Sequence, residues 1–112
     1  MLRQIRDGDR SLSVPDLWVY EMANLLLSAR RRRRITEEQL LAAHRLLDGV
    51  PHRLYDHEDR LARERLSRLA MRFRLSAYDA AYLELADRLQ CALVTADDRL
   101  GRAGRALGLS TS

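Results

Sequence analysis

The chain has 112 residues, 46% of them hydrophobic and 32% charged, which fits one globular domain with a modest core and excludes a disordered polymer. No apolar run is long enough to span a bilayer, and MLRQIRDGDR lacks the apolar stretch of a secretory leader. The lone Cys91 excludes an internal disulfide framework and fits a reducing cytoplasm, while a net charge of +4 with 20 basic residues, all arginine, leaves partners open. Guanidinium forks suit phosphate oxygens, so RNA is one reading; a codon bias toward arginine is the other.

In chain order, residues 1–10 read as the tail of a helix, with Leu2 and Ile5 as contacts and Gly8 as its stop. Ser11–Val14 is a short strand. Ser13 and Asp16 make a capping pattern around Pro15, which opens a helix over Pro15–Arg31. Thr36 and Gln39 form a capping box for a helix over Glu37–Asp48, closed by Gly49. His52–Tyr55 reads as a strand. From His57 to Arg74, Ala62, Leu66, Leu69, Ala70 and Phe73 recur at helical spacing against an arginine-rich face. Ser76 starts another helix that runs to Gln90, CALVT (91–95) is a buried-strand signal, and Asp97 begins a last helix ending before Gly108. Short strands alternating with helices predict an α/β layer with a parallel sheet, without repeats or a dividing linker.

Three carboxylates stand out. Glu21 and Asn24 are the polar side chains inside the apolar run of the first long helix, on one face with Leu17 and Leu25, so Glu21 is expected to be partly buried. Burying a carboxylate costs several kcal/mol unless a cation or donors compensate it. Asp79 aligns with Leu83 and Ala86 on the dry face of its helix, while Glu84, Asp87 and Arg88 mark the wet one; a capping box with Ser76 explains Asp79 equally well. Asp97 follows a strand at its carboxyl end, where parallel sheets place ligands, and also suits an N-cap. A parallel sheet can bring the three together, and a hard divalent cation relieves the repulsion among clustered carboxylates.

The segments VPDLWVYEMANLLL, LSAYDAAYLELA and LVTADDRL, in that order, resemble the PIN-domain ribonucleases, nearest the VapC-type toxins of toxin–antitoxin pairs. The resemblance implies a three-layer α/β/α fold with a short parallel sheet and an acidic Mg²⁺ or Mn²⁺ site. Carried over by motif, Glu21, Asp79 and Asp97 are its metal ligands and catalytic residues, with Asn24, Thr95 and Asp98 in support. It further implies an RNA substrate, a cognate antitoxin, a homodimer and a cytoplasmic location. PIN domains open with a central strand bearing another metal-binding Asp, and nothing before Ser11 fits that strand; Asp7 and Asp9 flank Gly8 in polar surroundings. Residues 1–112 are thus expected to form a single PIN-like domain, N-terminally truncated by one β-α unit of about 25–30 residues. That loss would strip two interior sheet edges of partners. An upstream start, a decayed copy and a strand supplied by another chain all stay open.

Arg30–Arg34 ends the Glu21 helix. As Arg31, Arg32, Arg33 and Arg34 they are candidates for contact with RNA or an acidic antitoxin segment, against the plainer reading of cations complementing a helix dipole. His52, Asp56, His57, Glu58 and Asp59 match no zinc spacing and read as a strand end followed by a helix cap. Trp18 and Tyr20 are expected in the core or at a dimer interface. The functional expectation is a metal-dependent endoribonuclease acting as a toxin. The alternative is an inactive PIN fragment that binds an antitoxin or subunit. A small DNA-binding helical protein ranks last, since no helix-turn-helix spacing supports it.

Overall fold

The computed structural model describes the backbone of residues 3–6 and the whole of residues 11–112. Four strands, β1 (Arg3–Arg6), β2 (Leu12–Pro15), β3 (His52–Tyr55) and β4 (Ala92–Thr95), form one sheet in the order β3-β2-β1-β4. Five helices surround it: α1 (Leu17–Arg31), α2 (Glu37–Asp48), α3 (Arg60–Phe73), α4 (Ala77–Leu89) and α5 (Asp98–Ala106). β2 and β3 run parallel, with Val14 opposite Leu54. The α/β class expected from the sequence is the one observed.

Two corrections concern the N-terminal third. Arg3–Arg6 is a strand rather than the end of a helix, and it occupies the centre of the sheet, antiparallel to β2 and to β4 (Ile5 opposite Ser13 and Leu93). The interior edges expected to lack partners are therefore hydrogen-bonded, and the sheet is mixed. Leu2, Asp7, Gly8 and Asp9 lie outside the described residues. The second correction is Pro15, which ends β2 instead of opening α1. Ser13 is 1% exposed inside that strand, and Asp16 starts α1 without a side-chain cap.

The other boundaries follow local chemistry. The Thr36–Gln39 capping box is formed reciprocally at 3.1 and 2.8 Å. Asp59, Ser76 and Asp97 cap α3, α4 and α5 by accepting from Ala62, Asp79 and Leu100 N–H. β4 is extended on its far side by the C-terminal residues, where Leu93 N–H donates to Ser110 O at 2.8 Å and Thr95 N–H to Ser112 O at 2.9 Å.

The core joins Val14, Trp18, Tyr82, Leu83, Leu85, Leu93 and Leu100 around α4. Every residue from Ala80 to Ala86 is buried, because α4 packs against β1, β2 and β4 and is also covered by α3 and α5. Glu84 thereby leaves the wet face assigned to it: it is 1% exposed. Trp18 lies in the core and Tyr20 on the surface. No described helix is long and apolar enough to cross a membrane.

Candidate functional site

The first turns of α4 and α5 open onto one cleft of about 500 Å³. Asp79, Asp97 and Asp98 line it together with Ser76. Asp79 stands in the first turn of α4, where Ser76 Oγ accepts from its N–H at 3.1 Å. Asp97 follows β4; Thr95 Oγ1 accepts from Asp97 N–H at 3.0 Å, and Asp97 Oδ1 caps Leu100 N–H at 2.9 Å. Thr95 thus sets the turn that delivers Asp97 to the cleft. Both carboxylates sit at helix N-termini, whose partial positive charge offsets part of the cost of gathering them. Asp98, one residue into α5, completes the acidic wall.

Glu21 belongs to a neighbouring hollow, lined also by Leu17, Tyr20, Asn24 and Tyr78. It is half-buried, and the fully buried Tyr82 donates its hydroxyl to Glu21 Oε1 at 2.5 Å. α4 ties the two hollows together. Tyr78 borders the Glu21 hollow, Asp79 the cleft, and Tyr82 reaches Glu21 from one turn further along the helix. Asp79 and Asp97 are thus brought to one cavity, with Glu21 and Asn24 in the next. No group of three or more His, Cys, Asp or Glu among the described residues is arranged to hold a metal ion. Arg31, Arg32, Arg33 and Arg34 are exposed at the end of α1 and do not line the acidic cleft.

Sequence reasoning passed over two clusters. The cleft has basic walls contributed by Arg74, Arg99 and Arg102. The second cluster surrounds Glu84, whose carboxylate meets His57 Nε2 at 2.8 Å, Arg88 Nη2 at 2.8 Å and Arg65 Nε at 3.5 Å. Burial pushes the Glu84 carboxyl up, but hydrogen bonds from His57 and Arg88 outweigh it and leave the group below its ordinary value. The network fastens α3 and the turn before it to α4, the helix that carries Asp79. The EL step inside an otherwise apolar helix, with Arg88 four residues on, was the available signal.

The PIN domain family model matches residues 2–106. This chain belongs to the PIN family. A 36-residue stretch is 61% identical to VapC ribonuclease Mb0985 of Mycobacterium bovis, covering 32% of this chain and 28% of that protein. Ribonuclease VapC9 of Mycobacterium tuberculosis matches over the same length with the same identity and coverage. These matches span less than a third of the relatives' length. Among solved structures, PAE2754 from Pyrobaculum aerophilum superposes with a TM-score of 0.70 at 26% identity, over 88% of this chain and 65% of that one. PIN-domain nucleases use divalent metal ions, and the donors in the cleft suit one: oxygen-only carboxylates select hard cations.

Proposed function

We propose that this PIN-family chain serves a Mg²⁺- or Mn²⁺-dependent endoribonuclease, the toxin of a type II toxin–antitoxin pair with a cognate antitoxin, working as a homodimer in the cytoplasm. One observation carries the reading: Asp79 in the first turn of α4 and Asp97 at the N-cap of α5, 18 positions apart, line the same cleft in a fold whose curated relatives are named ribonucleases. Asp79 and Asp97 are the residues that would hold the cation. When bound, it supplies a lowered pKa for attacking water and charge neutralisation at the phosphoryl oxygen. Thr95 positions Asp97, while Glu21, which accepts from Tyr82 in the next hollow with Asn24 beside it, would add a third carboxylate toward the cation. Asp98 contributes charge at the rim.

The test is Asp79→Asn in a protein that contains this chain, assayed on single-stranded RNA with Mn²⁺. Loss of cleavage with an unchanged circular-dichroism spectrum supports the assignment; cleavage at the wild-type rate removes Asp79 from the site. A second reading is a non-catalytic PIN module that binds an antitoxin or another subunit. The observation favouring it is that Glu21 lines the adjoining hollow and not the Asp79–Asp97 cleft. Absence of metal-dependent cleavage in the wild-type protein would decide for it.

A further inference from the structure

Next to the acidic cleft lies a second hollow, of about 450 Å³, whose lining shares Arg74, Arg99 and Arg102 with the first. The three arginines therefore form the ridge between the two cavities. Beyond it the floor changes character: Phe73, Ala103 and Ala106 are apolar, and the Arg72 guanidinium stacks over the Phe73 ring at 4.6 Å from its centroid. One part of the ridge is tied to the fold. Arg74 is the left-handed C-cap of α3 (φ 55°), and Arg99 donates from Nη1 to the Arg74 carbonyl at 3.2 Å, pinning the first turn of α5 to the end of α3. That bond uses one of five guanidinium N–H groups. Among the described residues none of these three arginines is ion-paired with a carboxylate, although Asp79, Asp97 and Asp98 share their cavity.

We infer that Arg74, Arg99 and Arg102 are a phosphate-binding ridge for single-stranded RNA, and that the hollow beyond it, floored by the Arg72–Phe73 stack, receives the base of a flanking nucleotide. The inference deepens the nuclease reading and rests on it for the identity of the polymer. Guanidinium groups with N–H forks not engaged by carboxylates match phosphate oxygens. A flat guanidinium-on-aromatic stack at the edge of an apolar hollow is a surface on which a base stacks whatever its identity. An acidic peptide would use the ridge but has no need of the stack. The ridge leads directly into the Asp79–Asp97 cleft, so it would set which phosphodiester reaches the carboxylates. The Arg31–Arg34 run does not border that cleft.

The experiment measures binding of a fluorescein-labelled single-stranded RNA oligomer to the complete protein in EDTA, by anisotropy, from low to moderate salt. The variants are Arg74→Gln/Arg99→Gln/Arg102→Gln and, separately, a quadruple glutamine substitution of Arg31–Arg34. Three lost phosphate contacts predict a fall in the salt slope of about 2, since each contact on a single strand contributes about 0.7. Affinity at low salt should drop at least tenfold, with a smaller change for the Arg31–Arg34 variant, and a glutamate-rich peptide should compete poorly. Unchanged affinity and slope in the triple variant, or stronger binding of the acidic peptide than of RNA, overturns the ridge. Folding of each variant is checked by circular dichroism, and Arg102→Gln alone, which keeps the Arg99–Arg74 bond, must still weaken binding. RNA binding that depends on the ridge without metal-dependent cleavage refutes the nuclease reading and leaves the ridge. Cleavage that needs Asp79 but ignores the ridge does the reverse.

Discussion

Glu84→Gln is expected to destabilise the domain by about 2 kcal/mol. Glu84 is 1% exposed, and its carboxylate oxygens accept from His57 at 2.8 Å and from Arg88 at 2.8 and 3.2 Å, with Arg65 at 3.5 Å. Removing one member of a fully buried ion pair costs about 3–5 kcal/mol, because the partner is stranded away from water. In this network the arginine side chains are 29% and 45% exposed, so they regain solvent when the charge is lost, and glutamine keeps one acceptor for His57. Both features lower the cost below that range, to about 2 kcal/mol. For a domain of this size about 2 kcal/mol corresponds to a fall in Tm of roughly 8–12 °C. The internal control is Glu64→Gln, which breaks an i,i+4 pair with Arg60 whose side chains are 71% and 44% exposed. That change should cost no more than about 0.5 kcal/mol. Urea denaturation of both variants reads the difference. Equal stability of Glu84→Gln and Glu64→Gln would refute the claim that the buried network fastens α3 to α4.

The same carboxyl sets an acid limit. Its folded-state pKa is lowered, so in the window between the folded and ordinary values the unfolded chain binds more protons, and stability rises with pH there. The advantage of wild type over Glu84→Gln should therefore be full above the ordinary value of 4.5 and shrink as pH falls through the lowered folded value. An advantage that grew on acidification would reverse the sign. Tyr82→Phe removes the hydroxyl that donates to Glu21 Oε1 at 2.5 Å. A bond to a charged acceptor contributes about 1.5–3 kcal/mol, and the half-exposed setting of Glu21 places the loss at the lower end. Chemical denaturation checks it; wild-type stability would show that the bond does not hold Glu21 in place.

Much of the fold was legible because local chemistry and tertiary packing agree. α2 and β3 have the boundaries that their caps and turn residues announce, and Ser76 and Asp97 cap the helices they precede. The failures are tertiary. RQIR carries one apolar residue and no strand pattern, yet pairing on both sides makes it the central strand. Pro15 suits the start of a helix, but sits buried at the end of β2 because the core claims it.

The site divides in the same way. Motif order pointed to Glu21, Asp79 and Asp97; Asp79 and Asp97 line one cleft, and Glu21, which accepts from Tyr82, lines the adjoining hollow. Glu84 was misplaced because a helical wheel takes one helix at a time. The face it assigns to solvent is the face α3 covers, and charge on that face survives only because His57, Arg88 and Arg65 converge on it. The basic ridge was invisible for a related reason, since Arg74 comes from the end of α3 and Arg99 and Arg102 from the first and second turns of α5, and they meet only in the folded chain.

The most direct test of the account is calorimetric titration of the complete protein with Mn²⁺, comparing wild type with Asp79→Asn and Asp97→Asn. Asparagine caps as well as aspartate at position 97, and circular dichroism checks the folding of both variants. If one cation is shared between the first turns of α4 and α5, each substitution should weaken Mn²⁺ binding at least tenfold while Tm stays within a few degrees. Wild-type Mn²⁺ affinity in both variants would contradict it.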